Sequence, residues 1–465
     1  MWESIMSLDS PERSDSSHQF EENQITNKNP LRDVDYFPPL RKAIPLGIQH
    51  VLAMFVSNAA VPLIIAGTAG LSGADTVFLV QMAMFVAGIA TLVQTLGIGP
   101  LGARLPIVMG TSFGFVPVMI PIAANQGLPA VFGGALIGGL AMAVVGLCYR
   151  RLSVFFPPVV SGTFVLLIGI LLLPVGFAYV GGGVGAEDFG SPHHLLLAAL
   201  VFVVTVAFHQ FCRGFLSEAA VLIGILVGCV AAAPMGLLDF SRVAEAGWFQ
   251  LPIPFEIGLA FDPAAILAIT LMAVVTCAES IGDISGTAIG GAEREPTARE
   301  LSGGVMADGL SSSFAALFGA FPQISFSQNV GLVALTGVAS RFVVALGGGF
   351  LVLAGLVPKL GALVSAIPAA ALGGAVIIMF GMIASAGVKM LSHARFNKRN
   401  MLIVGVSLAL AIGLPAQSGL YQGAPQQIGV LLESGLIPGA LASIMLNLVL
   451  PRADDDPATT GPAEP

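Results

Sequence analysis

Charge is scarce in this 465-residue chain: Asp, Glu, Lys and Arg together make up 10% of it, against 55% for the hydrophobic types. A water-soluble body of this size carries roughly a quarter of its residues charged, so a soluble globular protein is excluded. Cysteine is also sparse. The four residues Cys148, Cys212, Cys229 and Cys277 lie in or beside apolar runs without ligand-like spacing, which excludes a disulfide-stapled secreted scaffold and leaves no cysteine zinc site. No basic patch interleaved with aromatics is present, so nucleic-acid binding has no support. The first 44 residues are polar and lack the apolar core of a cleaved signal peptide; they read as a solvated tail.

What the chain does contain is apolar sequence, almost unbroken from Pro45 to Leu450 and punctuated by Gly and Pro. A helix crosses the ~30 Å hydrocarbon layer with roughly 20 apolar residues, so this stretch has room for about fourteen crossings. The net charge of −8 belongs mainly to the tails, residues 1–44 and 451–465 contributing −3 each. Lys and Arg collect in cytoplasmic loops. With both termini cytoplasmic, the fourteen-span reading puts 17 of the 19 bases on that side, only Arg242 and Lys359 falling outside. One extra crossing in the middle would reverse every later loop.

The halves echo each other at an offset of 211–216 residues. Arg104-Leu-Pro106 opens a run reaching Ser112-Phe113, and Phe321-Pro322 opens another reaching Gln328-Asn329; Phe156-Pro157 with Gly162 matches Ile367-Pro368 with Gly373. Seven spans per half is an odd number, so the repeats are expected to be inverted across the membrane. In such folds Gly/Pro-interrupted segments at matching positions mark a midplane site lined by half-helix N-termini. Spans 3 (residues 105–122) and 10 (322–340) are that pair here.

Ionisable groups at membrane depth are costly and usually functional. Four stand out: His50 in span 1, Glu279 and Asp283 in span 8, and Asp308 in span 9, with no Lys or Arg inside the spans to neutralise them. Glu279 and Asp283, four residues apart, share a helix face, a placement suited to sharing protons or holding a cation. The structural alternative is that Asp283 caps or braces a neighbouring helix, that Asp308 pairs with backbone amides and that His50 is an interhelical hydrogen-bonding residue. A second polar cluster is Ser325-Phe326-Ser327-Gln328-Asn329. The Gln328 amide offers a donor and an acceptor, the complement of a planar heterocycle's amide edge, and Phe113 could stack on the ring face or simply pack. Asn329 reads as a brace or cap.

These residues resemble the nucleobase–ascorbate transporter family, or nucleobase:cation symporter 2. The run Gln328-Asn329-Val330-Gly331 continuing to Thr336-Gly337 fits its signature, with support from Gln49-His50, Leu105-Pro106 through Ser112-Phe113, Glu279-Ser-Ile-Gly-Asp283 and Ala307-Asp308-Gly309. The resemblance spans nearly the whole apolar body. It implies an all-α polytopic membrane fold of fourteen spans in two inverted seven-span repeats, spans 3 and 10 beginning as short antiparallel strands. It further implies a core domain (residues 45–149 and 261–357), a gate domain (150–260 and 358–450), polar tails (1–44 and 451–465), a homodimer and an elevator movement in the plasma (inner) membrane.

By the same resemblance Glu279 and Gln328 hold the base, Phe113 stacks, Ser112 tunes selectivity, and groups around Phe326 and Ser327 assist. Asp283, Asp308, His50, Asn329 and Thr336 form the supporting network that couples binding to a co-transported cation, H⁺ or Na⁺; no cofactor or metal is expected. Uracil-type members carry Glu where this chain has Gln328, whereas xanthine and urate members have Gln. The run Thr336-Gly-Val-Ala-Ser340-Arg341 and the small hydroxyl of Ser112 are also similar to the purine group. The expected substrate is therefore urate and/or xanthine, a half-helix N-terminus beside Gln328 helping to hold a partly anionic oxypurine. Asp283 stands where uracil carriers tend to have His, so their proton-coupling details do not transfer.

Other readings were weighed against this one. A uracil or other nucleobase symporter keeps the fold. An inorganic-anion carrier would want positive charge near spans 3 and 10, where Glu279 and Gln328 stand instead. A passive channel fits a conduction row better than one tight site. Gly110-Thr-Ser112-Phe-Gly114 matches G-x-S-x-G, but a nucleophile elbow needs His and acid partners with an oxyanion hole, so an enzyme is disfavoured.

Overall fold

The computed structural model describes residues 30–148 and 157–451. Tail residues 1–29, Arg150 and Arg151, Phe156 of the repeat match and the acidic tail from Arg452 lie outside the described residues. The chain runs through α1 (Leu40–Thr68), α2 (Gly73–Leu96), β1 (Met109–Thr111), α3 (Val116–Gln126), α4 (Leu128–Leu147), α5 (Pro158–Val180), α6 (Pro192–Phe211) and α7 (Ala220–Ala232). It continues through α8 (Pro263–Ala292), α9 (Ala298–Leu317), β2 (Gln323–Ser325), α10 (Ser327–Thr336), α11 (Arg341–Gly355) and α12 (Pro358–Ser365). The last elements are α13 (Ala369–Ser392), α14 (Lys398–Ala416), α15 (Gln426–Glu433) and α16 (Leu436–Val449).

Among the described residues eight helices are long and apolar enough to cross a bilayer, or up to ten if the bent pairs α11–α12 and α15–α16 each count as one span. The chain is thus a mostly helical polytopic membrane protein with about eight to ten apolar spans. Residues 428–450, the last of the fourteen expected spans, are bent: α15 and α16 meet at 86°. The turn is made at Gly435, whose φ of 63° lies where an L side chain is strained. Helix α6 exposes Leu196 and Val203, 68% and 62% accessible, a surface suited to lipid rather than water.

Local chemistry starts several of these helices where the apolar periodicity alone would leave the boundary open. Asp262 caps α8 by accepting from the N–H groups of Ala264 and Ala265 at 2.9 Å each, with Pro263 first in the helix. Thr297 and Glu300 form a reciprocal capping box on α9, and Asn397 caps α14. Such a cap contributes about 1 kcal/mol.

The helices pack mainly in two groups. In one, α4 lies against α8 and α9, and α11 against α1 and α2; in the other, α5 runs along α13, with α6, α7, α14 and α16 around them. Small residues let backbones touch at the crossings. A Cβ on Gly139 of α4 would sit 2.4 Å from the Gly309 carbonyl oxygen and 2.7 Å from the Ser313 nitrogen of α9. A strap ahead of α1 closes one end. The Ala339 N–H donates to Leu31 O (2.7 Å), the Arg341 N–H to Val34 O (3.1 Å) and the Ser340 hydroxyl to Tyr36 O (2.6 Å). Arg341 also pairs with Asp35 at 2.8 Å, and Arg32 with Glu293.

Because the α4–α9 contact is backbone on backbone, Gly139→Val should destabilise the fold by about 3 kcal/mol or more. Gly405→Ala, whose added carbon meets nothing within 4 Å, is the matched control. Thermal unfolding in detergent should separate the two, and equal midpoints would show that α4 and α9 are not in this register.

Candidate functional site

Irregular backbone at membrane depth survives only if its polar groups find partners inside the protein. Here the two broken segments partner each other. β1 and β2 pair antiparallel, Met109 opposite Ser325, Gly110 opposite Ile324 and Thr111 opposite Gln323. Phe326 N–H to Val108 O (3.0 Å) and Ser112 N–H to Pro322 O (2.9 Å) extend the ladder. Buried side chains take up further groups. Thr91 Oγ1 accepts from Met109 N–H (2.9 Å), Asn58 Oδ1 from Thr111 N–H (2.8 Å) and Ser312 Oγ from Gln323 N–H (2.9 Å). Only glycine fits at position 110, because a Cβ there would lie 2.2 Å from the Phe326 ring.

From the strand pair the chain leaves as two half-helices in opposite directions. A 3₁₀ turn, Phe113–Phe115, leads into α3, and Phe326 leads into α10; neither start carries a side-chain cap. Two amide-rich helix starts, each bearing partial positive charge, therefore point at the middle of the protein. Carboxyl groups gather around them. Asp283 accepts from the hydroxyls of Ser325 (2.9 Å) and Ser327 (2.7 Å). Asp308 accepts from Gln94 Nε2 (2.8 Å) and the Ser280 hydroxyl (2.5 Å), while Gln94 Oε1 accepts from Ala103 N–H (3.0 Å). Asn329 Nδ2 donates to Pro106 O (2.7 Å), which leaves its Oδ1 to accept from His50 Nδ1 at 2.5 Å. His50 therefore carries its proton on Nδ1 in this network.

A cavity of about 40 Å³ lies against this framework, lined by Glu279, Gln328, Phe113 and Ser325 to Ser327 on one side and by Ile168 of α5 and Ile383 of α13 on the other. Glu279 Oε2 is buried with no hydrogen-bond partner in the protein. Phe113 meets Phe380 of α13 edge-on, ring centroids 5.6 Å apart. A buried carboxyl oxygen without a partner costs about 1–3 kcal/mol, which a ligand's N–H would recover. The volume suits a few water molecules, less than a flat bicyclic ring occupies.

The structure thus brings Glu279, Gln328, Phe113, Phe326 and Ser327 to one cavity. Ser112 sits just behind Phe113, its hydroxyl buried and without a protein partner. Asp283, Asp308, His50 and Asn329 stand in the bracing layer described above. Thr336 stands apart at the end of α10, its hydroxyl donating to Leu332 O (2.7 Å) and accepting from Val338 N–H (3.3 Å). The sequence reading missed Asn58, Thr91, Gln94, Ser280 and Ser312. An uncharged amide in an apolar run, such as Asn58 or Gln94, carries the same signal as a buried acid and was available in the sequence.

A multi-pass helical body with a cavity where a carboxyl and a carboxamide meet at membrane depth is the architecture of a membrane transporter. Residues 41–420 match the family model described as a permease family, and the chain belongs to that family, the nucleobase–ascorbate transporters. It is 38% identical to the xanthine permease of Bacillus subtilis (strain 168), covering 88% of this chain and 93% of that one. It is 39% identical to the uric acid permease PucJ of the same organism, covering 91% and 96%, and 35% identical to the uric acid transporter UacT of Escherichia coli (strain K12), covering 90% and 88%. In fold it is similar to the transmembrane domain of a cyanobacterium bicarbonate transporter, BicA, with a TM-score of 0.56 at 15% identity over 90% of this chain and all of that one. It is also similar to SLC26A9, with a TM-score of 0.61 at 12% identity over 93% and 69%.

Gln94 serves Asp308, the Gly304 carbonyl (3.3 Å) and Ala103 at once. Gln94→Ala leaves a buried acid and a buried N–H short of partners and should cost about 2–3 kcal/mol. A lowered unfolding midpoint of the purified variant checks this, and an unchanged midpoint would remove Gln94 from the frame.

Proposed function

We propose that the protein takes up urate and/or xanthine in exchange for the free energy of a co-transported cation, H⁺ or Na⁺. Glu279 and Gln328 grip the edge of the oxypurine and Phe113 stacks on its face. The observation that carries this reading is the convergence of Glu279, with an unpaired Oε2, and Gln328 on one cavity beside an aromatic ring. A purine presents both N–H donors and carbonyl acceptors, which a carboxylate and a carboxamide complement. The xanthine and uric acid permeases among its relatives support the same substrate class. The likeness to the bicarbonate transporter carries the fold and not the substrate, since an anion site should present cations and this cavity presents Glu279.

The proposed working cycle is elevator-like. The group of α1, α2, α4, α8, α9 and α11, with both half-helices, is the moving core, and the group around α5 and α13 is the gate. The division of the helices into two packed groups, with the cavity bordered by Phe113 of one and Ile168 and Ile383 of the other, supports this reading. The same reading has fourteen spans in two inverted repeats, a homodimer in the plasma membrane and both termini cytoplasmic. Asp283, Asp308, His50 and Asn329 are the groups proposed to feel the coupling ion.

In cells lacking their own carriers, Glu279→Gln and Gln328→Ala should each reduce uptake of labelled xanthine and urate to background while the protein still reaches the membrane. Normal uptake by both variants would reject the site. Phe113→Ala should weaken apparent affinity by roughly tenfold, the loss of one stacking contact. In proteoliposomes an imposed proton or sodium gradient should accelerate uptake, and indifference to both would reject coupling.

A further inference from the structure

Away from the cavity, the turn between α5 and α6 gathers three side chains that no part of the transport site uses. Asp188 Oδ2 lies 3.0 Å from His193 Nε2 and 3.0 Å from His194 Nε2, and the three donor atoms fall within 4.8 Å of one another. We infer that Asp188, His193 and His194 form a binding site for a divalent transition-metal ion of the zinc class. Two imidazole nitrogens and a carboxylate oxygen suit zinc, copper(II) or nickel(II), whereas magnesium and calcium prefer oxygen alone. Around a tetrahedral ion with bonds of about 2.0–2.1 Å, ligand atoms stand about 3.3 Å apart. The two Asp188–histidine spacings reach that value with shifts of a few tenths of an ångström, and the imidazole nitrogens lie within 4.8 Å of each other.

The site is built rather than loose. The loop takes positive φ at Gly182, Gly183, Gly185 and Gly190 (112°, 108°, 78° and 77°). It closes on itself through Gly190 N–H to Gly181 O (2.8 Å) and Ser191 N–H to Asp188 O (3.0 Å). A Cβ on Gly182 would stand 2.7 Å from His194 Nε2, so the bare backbone is what leaves room for that ring. His194 is 9% exposed. Both histidines lie in the first turn of α6, so the helix backbone fixes where their rings start. Two features limit affinity. Ser191 Oγ, 3.2 Å from His193 Nε2, competes for that nitrogen. His194 Nδ1 is buried with no acceptor, and an absent outer partner typically costs 10–100-fold in metal binding. Micromolar affinity follows, with three protein ligands and an open fourth position. The sequence reading weighed zinc only at the cysteines and passed over Asp188-x₄-His193-His194.

The test titrates the purified full-length protein, carrying an affinity tag without histidine, with zinc chloride in metal-free detergent buffer by calorimetry. The expected result is one ion per chain at micromolar Kd, with Asp188→Asn and His193→Ala each weakening it by at least about tenfold. Both side chains are roughly half exposed (52% and 41%), so these variants should elute as folded protein on size exclusion. His194, being buried, is left intact. Magnesium chloride should give no heat of binding. No zinc binding by the wild type up to ~100 µM would mean that the three groups only hydrogen-bond. Unchanged affinity in both variants would place any bound zinc elsewhere. Either outcome overturns the inference.

Discussion

Inside an apolar body, an extended stretch of backbone has no water to complete its hydrogen bonds, and that constraint organises this protein. Each broken segment answers the unmet needs of the other: residues 109–111 find theirs in 323–325, more than two hundred positions away. Side-chain amides and hydroxyls from α1, α2 and α9 finish the work at the ends of the ladder. Once the strands are paired, the starts of α3 and α10 are committed to the centre of the molecule. Asp283 of α8 and Asp308 of α9 are then held by hydroxyl and amide groups, while Glu279 Oε2 is left without a partner among the described residues. Recognition chemistry is thus a by-product of solving a backbone problem in a medium that punishes unpaired polar groups.

The cavity joins two kinds of surface. One wall is rich in hydrogen-bonding groups and is braced by Asp283, Asp308, Asn329 and Gln94 behind it; the facing wall is Ile168 and Ile383, with Phe380 beside Phe113. Braced polar groups keep their geometry, whereas aliphatic contacts slide with little directional penalty. The packing of helices into two groups follows the same line.

Much of this was legible in the sequence, and the reason differs by feature. Buried acids are rare enough that Glu279, Asp283 and Asp308 announced themselves, and the Pro-led interruptions near Pro106 and Pro322 pointed to the broken segments. Gln328 was legible because its neighbours formed a recognisable signature. Thr91 and Ser312 were not, since each serves a backbone group brought near only by folding, and nothing adjacent in the chain marks that duty. The 86° bend at Gly435 was hidden for another reason: one glycine in an apolar run is common in membrane helices, and its φ is decided by what packs around it. Asp188, His193 and His194 carry no apolar pattern at all, and the fold alone reveals that one loop closes on a single point.

The strap of residues 30–36 bears on how such a chain is made. Asp35 is ion-paired to Arg341, 306 positions later, so this segment leaves the ribosome well before the partner that holds it. At the usual ~5–20 residues per second this segment must wait on the order of a quarter of a minute to a minute before its docking surface exists. That end of the protein therefore forms only after the second strand segment and the helix behind it have been made.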